Sequence, residues 1–359
     1  MVPAPCSATD PVPPPAYQRA LAKRIPSLHI DAVTLVERLH VLTLCGLAVR
    51  LAHGYCPPAL PKGPGGRPRR YSEASLLLIA VLRTLWRLSY QDMHDWLVSW
   101  PALALACGLP TQANGCPYVP SPSQQCKRAA QAGVLSVELL YLLTVGEALR
   151  CRLIRARDLI IDSAPILAWR RDDPDARVGH APAQHAKKFL CGYRVHTLIC
   201  RACGLPLLFF LAPANRHDAP FAKPLLAYAT QLFHLRPRTV RLDAAYWGLS
   251  LIAWIHQTLG AVAVIPWNPK RQKNRACLPP TWTREELGKR SGIERFFARV
   301  FLFFRLQRPP LTGWVALTTR VALTYTASLL VALAAHQAGR PDLLRSPKRV
   351  LAHCWEGLA

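Results

Sequence analysis

The sequence predicts an α/β fold, a mixed sheet with helices on both faces, preceded by an all-α N-terminal domain. Two observations carry this. Apolar residues recur at helical spacing through most of 30–148, and from Asp158 onward the period changes to short β-branched runs separated by turns and helices. A chain of 359 residues is also long enough for two cores.

In order, residues 1–27 are rich in proline, including Pro11–Pro15, and are expected to form a flexible leader. Residues 28–152 form the expected helical unit, beginning with helical spacing from Ile30 to Leu51 behind the candidate cap Asp31. Proline, glycine and basic residues then crowd Gly54–Arg70, which reads either as a basic arm or as a solvated linker. Ser72–Ser89 is apolar nearly all round and should be central to its domain. Ser89 is placed to cap a second helix that Pro101 stops, and a short third helix covers 102–109. After a proline-rich loop over 110–122, Ser123 is expected to open one helix and Val134–Ala148 to supply another.

Within 153–310 the strands are expected at 159–166, 188–200, 205–212, 239–243 and 261–266, with helices at 218–234 and 247–259. The polar, basic stretch 266–283 reads as a loop, and Arg290–Arg305 as an aromatic helix. Residues 311–359 supply a C-terminal helix and a basic tail. The long apolar run Val315–Ala335 contains Arg320 and many Thr and Ala residues, so it reads as a buried helix and not a membrane span.

The formal charge is +25, with only 20 acidic residues, and a field of that size attracts polyanions. Nucleic acid is the leading partner and an anionic membrane surface the second; the missing amphipathic basic helix with a clean apolar face argues against the latter. The twelve cysteines match neither a secreted disulfide scaffold nor a zinc site, and Cys200 and Cys203 have no second pair nearby. No export signal is visible, so a cytoplasmic location is expected.

Two carboxylates, Asp162 and Asp243, follow apolar β-branched runs, and Glu294 follows Arg290 by one helical turn. Acids from neighbouring strands converge on one crevice, and a helix packed on the sheet can add a third. Spacing at about 100° per residue puts Leu287, Arg290, Glu294, Phe301 and Arg305 on one stripe that would face phosphate. Plainer readings stand beside these. A strand-end Asp can cap a turn, and Ser291 with Glu294 fits a capping box, with Glu285 and Glu286 as fallback ligands. Asp172, Asp173 and Asp175 read as solvated partners of nearby arginines. His196 and His217 stand either near the site or as structural residues; Tyr246 and Trp247 either stack on a displaced base or pack in the core.

Asp162-Ser-Ala-Pro-Ile, Gly192-Tyr-Arg-Val-His196, Gly204-Leu-Pro206, Pro213-Ala-Asn-Arg-His-Asp218, Asp243-Ala-Ala-Tyr246 and Arg290-x-x-x-Glu294 occur in the order and spacing of bacterial insertion-sequence transposases of the Asp-Asp-Glu class. The chain resembles that family over about 158–308. The resemblance implies a ribonuclease H-like catalytic domain in which Asp162, Asp243 and Glu294 hold two Mg²⁺ or Mn²⁺ ions. It implies cleavage of double-stranded DNA at transposon ends and transfer of the freed 3′-hydroxyl to target DNA, with a homodimer on DNA plausible. It also implies that the helical unit binds DNA. Arg290, Arg305, Lys270, Arg271 and Lys273 are the candidate phosphate contacts. The chain departs from the family's last motif, with Leu287 at its Tyr position and Phe301 at its Lys position. An inactive DNA-binding descendant and a nuclease without strand transfer are the alternatives.

Overall fold

The computed structural model describes residues 70–181, 188–268 and 288–353. The expected leader, the helix over 30–51, nearly all of the basic arm, Lys270, Arg271, Lys273, Glu285, Glu286 and Leu287 lie outside the described residues.

The helical unit contains α1 (Glu73–Trp86), α2 (Tyr90–Ser99), α3 (Pro101–Ala106) and α4 (Pro122–Arg150). Ser72 caps α1 by accepting the Ser75 N–H at 3.1 Å. Ser89 and Asp92 form the capping box at the start of α2, so the expected cap at Ser89 is present. Where two helices were expected beyond residue 123, α4 runs unbroken from a capping box at Ser121. A mid-helix glycine such as Gly133 costs only about 1 kcal/mol relative to alanine, less than the packing that a continuous helix gains.

The sheet comprises β1 (Asp158–Leu167), β2 (Arg177–His180), β3 (Phe189–Cys200), β4 (Pro206–Pro213), β5 (Thr239–Arg241) and β6 (Val262–Val264). Strand β1 is central: it pairs antiparallel with β3 and parallel with β5, which pairs parallel with β6. The opposite edge of β3 is shared by β2 and β4, both antiparallel. Three long antiparallel strands followed by two short parallel ones, in the order β4–β3–β1–β5–β6, make a ribonuclease H-like sheet. Strand β2 was not foreseen, because the polar run before it hid a short edge strand.

Helices cover both faces. His196 and Thr197 are consecutive on β3 and so point to opposite sides. His196 stacks on Phe221 of α5 (Ala219–Phe233), while the Thr197 hydroxyl lies 2.7 Å from the Tyr325 hydroxyl of α8 (Trp314–Gln337). Helix α6 (Leu249–Leu259) joins β5 to β6. Helix α7 (Gly292–Ala298) lies on the Tyr325 side, preceded by a 3₁₀ turn at Lys289–Ser291 and followed by a wider π-type turn at Arg299–Phe303. A last helix, α9, spans Pro347–His353.

Helix α8 is long and apolar enough to cross a bilayer, yet Val321–Ala335 are buried inside the protein. It packs against α1 and α4 on one side and β4 on the other. Tyr325 is fully buried among Tyr141 of α4, Phe209 of β4 and Phe296 of α7, at ring separations of 6.0, 5.3 and 5.1 Å. The helix expected in the C-terminal segment is thus shared between the helical unit and the sheet.

The start of α8 corrects the reading of the acidic cluster. Asp172 does pair with Arg170 in solvent, at 2.6 Å. Asp173, by contrast, is buried and accepts the Tyr193 hydroxyl at 2.7 Å and the Gly313 N–H at 3.1 Å. Asp175 accepts the Trp314 N–H at 2.8 Å. These acids arrive from a distant part of the chain to satisfy amides that a helix cannot pair internally, where the helix dipole also favours negative charge. Asp173→Ala should therefore cost about 2 kcal/mol, leaving a buried phenol and an amide unpaired. Asp175→Ala should cost about 1 kcal/mol, as a lost cap, and Asp172→Ala close to nothing. Urea unfolding of the three variants checks the ranking.

Candidate active site

Asp162 lies within β1, as the strand expected over 159–166 places it, and the long partner β3 keeps pairing as far as Leu167. What ends at this level is β5. Ile160 pairs with Arg241, so Asp162, two residues further along β1, and Asp243, two residues past the end of β5, lie at about the same level. This is the switch between the antiparallel and parallel halves of the sheet. Asp162 opposes Thr197 and so points to the face covered by α7 and α8.

Helix α7 brings the third element. Gly292 sits over Ile160, two residues before Asp162 on the same face, and Arg290 reaches the Asp162 Oδ2 at 2.8 Å. The Arg290 guanidinium also lies 3.6 Å from the Glu294 Oε1. Arg290 thus stands between two of the predicted acids, and the expected one-turn pairing of Arg290 with Glu294 is present. Ser291 makes no side-chain cap bond, so the capping-box alternative for Glu294 is not realised.

The acids differ in environment. The Asp162 side chain is only 17 % exposed, whereas that of Glu294 is 61 % exposed. Burial pushes the Asp162 carboxyl up to about 6; Arg290 and the Ser163 N–H pull it down, and Asp243 and Asp218 push it further up. Asp162 Oδ1 accepts the Ser163 N–H at 2.8 Å, and Asp243 Oδ1 accepts the Ala244 N–H at 2.6 Å. Each acid therefore has a fixed inner oxygen.

The structure decides between the readings left open for the neighbouring residues. Asp218 was expected to open a helix, yet it makes no cap bond. Its carboxylate instead accepts the Ser163 hydroxyl at 2.8 Å and Arg194 at 3.3 Å, on the sheet face opposite Asp162. Tyr246 and Trp247 are buried, so core packing is the correct reading for both, and the Tyr246 phenol is raised well above its ordinary value, chiefly by burial. His196 is fully buried and held down to about 3 by desolvation and by Arg194; it is neutral, and its 3.7 Å approach to Asp218 is not an ion pair. His217 lies in the turn before α5.

The phosphate-facing stripe is only partly present. The π-type turn shifts the helical phase after Ala298, and Phe301 stacks on Phe297 at 5.8 Å. Arg305 lies beyond the helix end with a left-handed φ of 54°, so it does not continue the stripe. The physical reason is the closure of this end, in which the Leu306 N–H returns to the Val300 carbonyl at 3.2 Å.

Among the described residues, no group of three or more His, Cys, Asp or Glu side chains converges in a way that could hold a metal ion. The donor chemistry at Asp162 and Asp243 nevertheless fits a hard divalent cation. Both are carboxylates, they lie at about the same level, and their mutual repulsion in a desolvated setting is what a cation relieves. Glu294 stands apart from them, with Arg290 on the intervening side.

Sheet and acids together define the class, a ribonuclease H-like domain with acidic residues at about one level, on and just past its central strands. Residues 155–330 match the family described as Transposase DDE domain, and this part of the chain is a DDE-class transposase domain. Among solved structures, it is similar to the piggyBac transposase synaptic complex with hairpin DNA, at 11 % identity and a TM-score of 0.44, covering 94 % of this chain and 80 % of that one. It is also similar to the Mos1 strand transfer complex, at 14 % identity and a TM-score of 0.31, covering 83 % and 81 %. No curated protein sequence matches the chain.

The Asp162 environment has a pH consequence. A carboxyl raised in the folded state leaves stability unaffected below its unfolded value and lowers it as pH rises toward the folded value. The excess melting temperature of Asp162→Asn over wild type should therefore grow between about pH 4 and pH 6.5 and then level off. Thermal melts across that range check it; a constant difference would show that Asp162 is not raised.

Proposed function

We propose that this transposase cleaves phosphodiester bonds at the ends of a DNA element and transfers the freed 3′-hydroxyl to target DNA, with Asp162, Asp243 and Glu294 as its acids. The observation that carries the reading is the half-buried, level pair Asp162 and Asp243 with Arg290 bonded to the first. Two half-buried carboxylates held close together repel one another, and a cationic occupant relieves that repulsion.

A phosphodiester resists attack because its centre is anionic and its leaving alkoxide poor. When bound, Mg²⁺ or Mn²⁺ at these acids supplies activation of a water or 3′-hydroxyl and stabilises the leaving oxygen. Asp162 and Asp243 would hold the ions; the Ala244 amide holds one oxygen of Asp243, and in Asp162 the Ser163 amide holds Oδ1 while Arg290 holds Oδ2, a contact that a bound ion would have to displace. Glu294 completes the set from α7. Arg290, half of whose fork is engaged by Asp162, positions a non-bridging phosphate oxygen with the remainder. The neutral His196 takes no part in proton transfer. Arg305 and the loop residues Lys270, Arg271 and Lys273 are proposed to contact the DNA backbone away from the scissile bond, and two chains to act together on two ends.

The test is cleavage and joining on duplexes carrying the ends that flank the gene, with Mg²⁺ or Mn²⁺. Wild type should cut and join; Asp162→Ala, Asp243→Ala and Glu294→Gln should each lose at least 100-fold in rate while still binding DNA. Cutting without joining would identify a nuclease. Binding without cutting under either metal would favour the inactive DNA-binding descendant.

A further inference from the structure

A second cationic site lies at the turn between β3 and β4. Gly204 adopts φ +65° there, and a Cβ built on it would lie 3.4 Å from the Arg345 Cδ and 3.7 Å from both the Arg299 Nη2 and the Arg345 Nη1. Two guanidinium side chains from separate parts of the chain thus converge over one glycine. Arg299 is anchored by donating to the Gly204 carbonyl at 3.0 Å. Burial, with Arg345 and Arg295 nearby, pulls its guanidinium down to about 10, so like charges are held together here. Among the described residues, the salt bridges include none to Arg295, Arg299 or Arg345, although Arg340 and Arg349 close by both pair with Asp342.

We infer that Arg299 and Arg345, with Arg295 beside them, form a seat for a DNA backbone phosphate separate from the candidate active site. The inference rests on the DNA-processing reading above. Among the described residues these repelling cations are held together without a carboxylate, an arrangement that an anion relieves, and paired guanidinium forks match the oxygens of a phosphodiester. The placement suits a duplex already engaged at Asp162. Cys200, where the turn begins, pairs with Leu159, three residues from Asp162 along β1, a separation of about 10 Å. That corresponds to roughly three nucleotide steps along one strand at 3.4 Å each. Helix α7 and the π-type turn after it span the same interval, from Arg290 at the acids to Arg299 at the turn.

The test is fluorescence anisotropy of a labelled 30-base-pair duplex with the full chain, without divalent metal, over a monovalent salt series. Arg345 is exposed, so Arg345→Ala and Arg345→Glu should keep the wild-type melting temperature. Arg345→Ala should weaken binding several-fold and reduce the slope of log affinity against log salt by about 1, and Arg345→Glu should weaken it further. Arg170→Ala, which removes an equal charge from an exposed pair with Asp172, should change neither. Wild-type affinity and slope in both Arg345 variants would overturn the phosphate seat even if the enzyme cuts DNA. A reduced slope would sustain it even if no cleavage is found, so the two readings fail separately.

Discussion

The burial of α8 is the constraint on which the rest of the molecule depends. A helix whose residues 321–335 are all buried needs apolar partners on every side, and no single domain surface supplies them. Helices α1 and α4 cover one side and the sheet the other. Tyr325 fixes the relative placement, because its ring meets Tyr141, Phe209 and Phe296 while its hydroxyl meets Thr197. Phe296 belongs to α7, so the same contact that completes the core decides where Arg290 falls relative to β1. Asp173 and Asp175 hold the other end of the arrangement by closing the helix start. The site is thereby positioned by packing that lies well outside it.

The electrostatics of the site follow from β1. A central strand flanked on both edges and covered on both faces desolvates what it carries, and Asp162 is carried near its middle. Arg290 offsets part of that cost but not all of it, since the carboxyl remains raised. Ser163, the next residue, points to the other face and is held by Asp218 and Arg194. The strand is therefore gripped at consecutive residues from opposite sides, with an acid and an arginine on each.

Much of this was legible in sequence, and the failures have identifiable causes. Strand positions, the Ser89 cap and the burial of α8 follow from local periodicity and capping chemistry, which act within a few residues. The pairing of Arg290 with Glu294 was legible for the same reason. The bond from Arg290 to Asp162 spans 128 positions, and no local pattern encodes it. The same applies to Asp173 and Asp175, whose partners lie about 140 residues away. Asp218 does open the expected helix, but the bonds of its side chain to Ser163 and Arg194 were visible only once β1 and β3 were paired in register. The stripe through Arg305 failed because an extended helical phase was assumed across a π-type turn.

Asp218 also explains why a fourth acid near the site need not be a ligand. A carboxylate's availability to a cation depends on its competing donors and on the face it points to; Asp162 also has both oxygens engaged, by the Ser163 amide and Arg290, so here the face decides. Both oxygens of Asp218 are engaged, by Ser163 and Arg194, and its neighbours point it away from the face of Asp162. Asp243 is different: one oxygen is fixed by the Ala244 amide, and it follows β5 at about the level that Asp162 holds on β1. Sequence proximity to family motifs puts both acids on an equal footing, since each lies within one. Alternation along β1 separates them, for it sends Asp162 to one face and the Ser163 that recruits Asp218 to the other. The division between acids that face the reaction and an acid that braces the strand is therefore set by the two-residue period of a single buried strand.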